Sequence, residues 1–255
     1  MPILVLAAVP SELEDLRRAA GAGPLEGAPV PTARGSLGPV PVVLAVTGVG
    51  KSRAAFAAGW ILARAPCSAA VNIGCAGAFP GSQVRPGDVV IADREILADE
   101  GVETPEGFLG LEALGIGPRD GAGGIENRIP IHPPCRLSPK TLARLSRDLG
   151  FPIIAGPLCT VSTGSGTDRR SAEVLGRWRP LAESMEGAAL AIASLLASVP
   201  FLEIRGISNW TGDRDRSAWD VPLAAARAAA VAARIIEGAP RWEPPVKCRP
   251  DEVDP

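Results

Sequence analysis

The sequence predicts a layered α/β fold. Short apolar runs such as Ile3–Val9, Val40–Val46 and Val199–Ile204 alternate with helix-patterned stretches, as expected of strands covered by helices. The 255 residues suffice for one large domain, and 46% hydrophobic against 21% charged residues supplies a core rather than a disordered chain. No internal repeat and no linker divides the chain, so residues 1–237 read as one catalytic-sized domain. Residues 238–255, rich in Pro and acidic side chains, read as a loosely packed tail.

In chain order, the Ile3–Val9 strand leads into a helix at Ser11-Glu12-Leu13-Glu14-Asp15-Leu16, whose first turn is acidic as the helix dipole favours. Val40–Val46 is a second strand, followed by a Gly turn and a helix over about residues 52–65. Ala69–Ile73 and Val89–Ala92 are buried-strand candidates. Residues 101–136 carry so much Gly, Pro and charge that they read as one long functional loop. A helix over Ser138–Leu149 precedes a strand over Pro152–Val161. Ser184-Met185-Glu186-Gly187-Ala188-Ala189 then sets a carboxylate just before an Ala-rich helix. The run Val199–Ile204 reads as a buried strand ending in the polar segment Arg205-Gly206-Ile207-Ser208-Asn209, and a last helix covers about residues 222–236.

Charge and cysteine content exclude several classes. A net charge of −2 gives no electrostatic footprint for nucleic acid. The cysteines, Cys67, Cys75, Cys135, Cys159 and Cys248, are odd in number and lack CxxC spacing, which argues against zinc and against a disulfide framework and points to a reducing cytoplasm. The N-terminal apolar run has no basic flank and stops at Pro10, too short for a signal peptide or a membrane span.

Four features carry chemistry. Ala45-Val46-Thr47-Gly48-Val49-Gly50-Lys51-Ser52 approaches a phosphate-binding P-loop, but Ala45 stands where that pattern needs Gly and a complete strand–helix unit precedes it. Gly74-Cys75-Ala76-Gly77 after a strand suits either a close ligand approach or a tight turn. Cys75 has no persuasive base, because His132, the sole histidine, lies in a Pro-rich loop and reads as solvated. The carboxylates of Glu12 and Glu186 sit where strands pass into helices, positions that serve capping as readily as catalysis. Asn209, beyond a strand end, has the donor and acceptor groups needed to read a heterocycle edge.

The ordered set Ala7-Ala8-Val9-Pro10-Ser11-Glu12, Thr47-Gly48-Val49-Gly50-Lys51, Asn72-Ile73-Gly74-Cys75-Ala76-Gly77, Ser184-Met185-Glu186-Gly187-Ala188 and Arg205-Gly206-Ile207-Ser208-Asn209 resembles the purine nucleoside phosphorylase and nucleosidase superfamily. The likeness runs from Ile3 to about Ile236. It is closer to the futalosine hydrolase branch, of menaquinone biosynthesis, than to the methylthioadenosine/S-adenosylhomocysteine nucleosidases. The resemblance implies one three-layer αβα domain around a mixed central sheet, a nucleoside substrate, no metal or organic cofactor, and a homodimer or higher homo-oligomer. It implies that Glu12 activates water, that Glu186 holds the ribose hydroxyls with Met185 against the sugar, and that Asn209 reads the base. Val9, Cys75, Ala76, Gly77 and Ser208 complete the implied substrate-binding set.

Two departures discriminate among branches. Adenine-specific nucleosidases resemble one another in having aspartate where Asn209 stands, whereas asparagine resembles 6-oxopurine users and implies hypoxanthine as the leaving base. Phosphorylases of the superfamily place a phosphate-gripping arginine where Asn72 stands, so its absence favours water as nucleophile. The Thr104–Leu109 segment and Gly212-Asp213-Arg214-Asp215-Arg216 also look like the futalosine branch. There the substrate carries an aromatic carboxylate on the sugar's far end, which Arg214 or Arg216 can meet, with plain surface solvation the rival role for each. The remaining alternatives are an adenine-type nucleosidase acting on methylthioadenosine, S-adenosylhomocysteine or aminodeoxyfutalosine, a phosphorylase, and a non-catalytic nucleoside-binding protein.

Overall fold

The computed structural model describes residues 1–115, 126–135 and 137–239. The tail from residue 240 onward, with Cys248, lies outside the described residues, as does the central part of the 101–136 segment.

The elements run β1 (Ile3–Ala7), α1 (Pro10–Ala19), β2 (Gly23–Leu25), β3 (Thr32–Leu37), β4 (Val40–Val46), α2 (Lys51–Leu62), β5 (Ala69–Ala78) and β6 (Val89–Leu97). They continue with β7 (Gly101–Thr104), β8 (Gly107–Gly110), α3 (Leu111–Leu114), β9 (Arg128–Pro130), α4 (Pro139–Leu149), β10 (Ile153–Thr160), α5 (Asp168–Trp178), β11 (Ala182–Ser184), α6 (Gly187–Leu196), β12 (Phe201–Trp210) and α7 (Val221–Glu237). The main sheet has the order β11-β10-β6-β12-β5-β1-β4-β3-β2, with β9 alongside β6. Pairing is mixed: β1 lies parallel to β4 and β5, β12 parallel to β5 and antiparallel to β6. Short β11 pairs with β10 on one side and β5 on the other, so it closes these strands into a ring at one end of the sheet.

Alternation along β1 shows how the layers form. Ile3, Val5 and Ala7 enter one core with Leu13 and Leu16 of α1, Leu142 and Leu145 of α4 and the Ala-rich face of α7. Leu4 and Leu6 point the other way, to Ala54, Ala58 and Ile61 of α2 and Ala188–Ala191 of α6. The result is the expected three-layer αβα fold around a mixed sheet. Small residues set how tightly α7 sits: a Cβ on Gly206 would strike the Ala224 backbone carbonyl.

The structure changes the predicted boundaries in three places. The Gly74-Cys75-Ala76-Gly77 stretch is not a turn after a strand; β5 continues through it to Ala78 because β12 supplies a backbone partner at each step. Likewise β12 continues through Arg205–Asn209 to Trp210. Residues 101–136 are not one irregular loop: they contain the β7–β8 hairpin, α3 and β9. Phe108 on that hairpin meets Trp178 edge-on at 6.3 Å, with the Arg177 guanidinium 4.2 Å from its ring centre, giving it packing that no periodicity announced.

Candidate active site

Register brings the two most informative motifs side by side. In the β5–β12 pair, Arg205 faces Gly74, Gly206 faces Cys75, Ile207 faces Ala76 and Asn209 faces Gly77, with a bulge at Ser208. Bulges re-aim side chains, and this one redirects Asn209 at the strand end. A cavity of about 640 Å³ opens here, lined by the C-terminal segments of β5, β11 and β12 and by residues that follow β1 and β10. The β1–α1 junction contributes Val9 and the first turn of α1 contributes Glu12. β5 contributes Cys75, Ala76 and Gly77, the β11–α6 junction Met185 and Glu186, and β12 Ser208 and Asn209.

Glu12 is buried at 7% exposure in the first turn of α1, which Pro10 opens. Its Oε2 accepts the N–H groups of Ala8 (3.1 Å) and Val9 (3.2 Å), and its Oε1 accepts the Cys75 N–H (2.9 Å). A carboxylate has about four lone-pair sites, so three protein donors leave one for a water or substrate hydroxyl. Capping of α1 and presentation of a carboxylate to the cavity are therefore done by the same side chain.

Glu186 is the N-cap residue of α6. Its Oε1 accepts the Gly50 N–H at 3.0 Å, and its Oε2 lies 3.5 Å from Arg205 Nη2. Gly50 has φ of 97°, a conformation that favours glycine, and so the Gly48-Val49-Gly50 turn presents an N–H to a carboxylate of the protein. Lys51 points elsewhere, to Asp99 (2.7 Å) and Glu100 (2.9 Å). Burial alone would lower its pKa, but those two carboxylates outweigh it and hold the lysine above its ordinary value. The P-loop alternative thus loses both its backbone donor and its cation.

Asn209 has its amide orientation set by a backbone group. The Trp210 carbonyl can only accept, and Asn209 Nδ2 donates to it at 2.8 Å. Oδ1 consequently faces Ser208, whose Oγ–H donates to it at 2.6 Å. One N–H of the amide is left over for a ligand. Burial first, then the charge of Glu12, pushes the Cys75 thiol up to about 12, which disfavours its thiolate. His132 is exposed, as read from its Pro-rich surroundings. Among the described residues no cluster of three or more His, Cys, Asp or Glu is arranged to hold a metal.

Several site groups had no role assigned from sequence. Arg205, quoted only as part of a motif, is 1% exposed and lies behind Gly74; a Cβ on Gly74 would come within 2.5 Å of its Nη1 and 2.6 Å of Glu12 Oε1. Burial opposes its charge, yet Glu203, Glu186 and Glu12 together hold it above its ordinary range. Asn72 is also sealed at 1% exposure and donates to Glu203 at 3.0 Å, away from the cavity. Glu183 was missed altogether. It binds the Ser165 N–H (2.7 Å) and Oγ–H (2.6 Å), fixing one side of the Ser162–Gly166 loop, and burial raises its pKa. Asp99 holds the other side of that loop through the Ser162 N–H. Arg214 and Trp219 line the cavity, the guanidinium 5.1 Å from the ring. Arg216 also lies over Trp219 but does not line the cavity.

Known proteins resemble this chain in sequence and in fold. The chain matches the Phosphorylase superfamily over residues 2–239. It is 35% identical over 200 residues to the futalosine hydrolase of Thermus thermophilus, covering 78% of this chain and 83% of that protein. It is 36% identical over 183 residues to the futalosine hydrolase of Acidothermus cellulolyticus, covering 71% and 70%. In fold it is similar to the 5′-methylthioadenosine/S-adenosylhomocysteine nucleosidase of Neisseria meningitidis solved with methylthio-immucillin-A, with a TM-score of 0.77, 23% identity and coverage of 93% and 99%. The chain belongs to the Phosphorylase superfamily and, within it, to the futalosine hydrolase family.

Proposed function

We propose that this protein is an N-glycosyl hydrolase that cleaves the N-ribosidic bond of futalosine with water, releasing hypoxanthine and dehypoxanthine futalosine for menaquinone biosynthesis. The observation that carries the base assignment is the Asn209 amide. Its orientation is held by the Trp210 carbonyl, and its remaining N–H suits a 6-oxopurine acceptor rather than a 6-amino donor.

Glu186 orients the ribose through its hydroxyls, with Met185 against the sugar. As the C–N bond lengthens, positive charge grows on the sugar, and the carboxylates of Glu12 and Glu186 are preorganised around it. Glu12 takes a proton from the attacking water at its one free acceptor site, and the oxygen bonds to the anomeric carbon. The purine departs with the bonding pair, eased by the Asn209 N–H, and is protonated on release. Water rather than phosphate is supported by Asn72, which faces Glu203 instead of the cavity, and by Arg205, which is sealed behind Gly74. Among the described residues lining the cavity, Arg214 is the sole cation; with Trp219 it suits an aromatic carboxylate at the far end of the substrate.

Self-association belongs to the same proposal. Val49 on the cavity rim and Phe56 on α2 are 49% and 57% exposed, an apolar surface that a second copy of the chain would cover. No helix among the described residues is long and apolar enough to cross a membrane. A cytoplasmic location fits the free thiols of Cys67, Cys75, Cys135 and Cys159.

Incubating the protein with futalosine, inosine and methylthioadenosine, each with and without phosphate, tests this reading. Hypoxanthine from futalosine in phosphate-free buffer is the expected result. Faster release of adenine from methylthioadenosine supports the adenine-type alternative, and strict phosphate dependence supports a phosphorylase.

A further inference from the structure

Glu95 on β6 and Glu203 on β12 are both fully buried, at 0% exposure, on neighbouring strands directly beneath the start of α6. Neither belongs to the cavity. Glu203 Oε1 accepts from Arg205 Nε (2.8 Å) and Asn72 Nδ2 (3.0 Å), while Glu95 Oε2 accepts the Thr160 hydroxyl (2.7 Å). Thr160 Oγ1 in turn accepts the Ala188 N–H at 2.7 Å, tying Glu95 to the first turn of α6. The other two oxygens, Glu95 Oε1 and Glu203 Oε2, have no such partner. They converge on one spot: a Cβ added to Gly187 would collide with both carboxylates at once. Two ionised carboxylates whose facing oxygens lack donors do not persist side by side in a dry core, whereas one proton between them satisfies both oxygens.

We propose that Glu95 and Glu203 form a buried carboxyl pair bridged by the proton of Glu95, and that this pair positions Arg205 and, through it, the ribose-holding carboxylate of Glu186. Glu203, as the charged partner, anchors the Arg205 guanidinium; Arg205 Nη2 then reaches Glu186 Oε2, and Gly50 N–H holds the opposite oxygen. Desolvation first and the charge of Glu203 second push Glu95 well above the ordinary carboxylate range. Among the described residues, the other charged or titratable groups around the pair are Arg205 on β12, Glu186 at the head of α6 and Cys159 on β10. With Glu203 neutralised, Arg205 is left to Glu186 as its close partner and draws that carboxylate away from the sugar hydroxyls.

The link to Glu186 rests on its ribose-holding role proposed above, so the tests are separable. Infrared spectra of the full-length protein at neutral pH should contain a protonated-carboxyl band that is missing from Glu95→Gln; identical spectra overturn the shared proton, whatever the protein's activity. For positioning, Glu203→Gln and Glu95→Leu are assayed on futalosine and on its 2′-deoxy analogue. Either variant should lower kcat/KM for futalosine by about ten- to a hundredfold, the range of a lost charge-assisted hydrogen bond, and lower it far less for the deoxy analogue. Glu95→Gln, whose amide N–H replaces the bridging proton, should restore most of the rate. Equal losses on both sugars overturn the positioning role. Failure of the unsubstituted protein to act on futalosine overturns the functional reading while the infrared result still stands.

Discussion

The Glu12 carboxylate reaches from the first turn of α1 to the Cys75 N–H of β5, accepting it at 2.9 Å. That bond joins two segments 63 residues apart in sequence and fixes the candidate base against the strand that floors the cavity. Both oxygens of Glu12 face N–H groups, so the site is built for a carboxylate and not for its amide.

Glu12→Gln places an NH2 against at least one of the three backbone donors. Turnover should fall by about a hundred- to ten-thousandfold, the usual worth of a general base. The melting temperature should also drop, since an unsatisfied buried donor costs about 1–3 kcal/mol. Steady-state kinetics with a thermal melt checks both, and undiminished kcat removes Glu12 as the base.

Asn209→Asp sets a carboxylate oxygen against the Trp210 carbonyl and withdraws the free N–H. The ratio of activity on futalosine to activity on its 6-amino counterpart should fall, by about a hundredfold if the amide acts as an oxyanion-hole donor does. Side-by-side kcat/KM values measure it; an unmoved ratio means that Asn209 does not read the base.

Much of this architecture was legible before any coordinates. The apolar runs Ile3–Val9, Val40–Val46 and Val199–Ile204 read as buried strands because each is apolar on both faces, as helices on both sides require. The site motifs were legible because small residues, carboxylates and an amide recur at strand ends. What periodicity missed has physical causes. Gly74–Gly77 looks like a turn, since nothing local reveals that β12 pairs with it. The β7–β8 hairpin hides in a Gly-rich stretch, and its Phe108 is held by Trp178 and Arg177, residues of a helix far along the chain. Glu203 sits in an otherwise apolar run and Glu95 ends the charged triplet Asp93-Arg94-Glu95, and neither carboxylate has meaning until Asn72, Thr160 and Arg205 are seen around it.

Arg214→Ala removes the cavity's cation near Trp219. The KM for futalosine should rise by about tenfold or more, as loss of a charged hydrogen bond implies, with inosine kinetics unchanged because inosine lacks the far carboxylate. Parallel losses on both substrates would assign Arg214 to loop structure instead.

Cys75, with its thiol pushed up to about 12, should resist alkylation by iodoacetamide through pH values where ordinary cysteines react. Peptide mass spectrometry on the treated protein locates the adducts. Rapid, inactivating modification at Cys75 near neutral pH would contradict the burial and charge environment described.

Glu95 should also leave a mark on stability. Its folded-state pKa lies above the unfolded value, so the native protein keeps a proton that the unfolded chain has lost. Stability contributed by that proton is present at low pH and declines as pH rises above the unfolded carboxylate range. Between about pH 5 and pH 8 the unsubstituted protein should therefore lose melting temperature relative to Glu95→Gln. Parallel curves would mean that Glu95 is ionised in the fold.

The most direct test of the whole account follows the nucleophile. Futalosine is turned over in heavy-oxygen water, with and without phosphate, and both products are analysed by mass spectrometry. Direct hydrolysis predicts hypoxanthine at the same rate in both buffers and one labelled oxygen on the sugar product. A sugar phosphate formed only when phosphate is present, or futalosine left intact in both buffers, would contradict it.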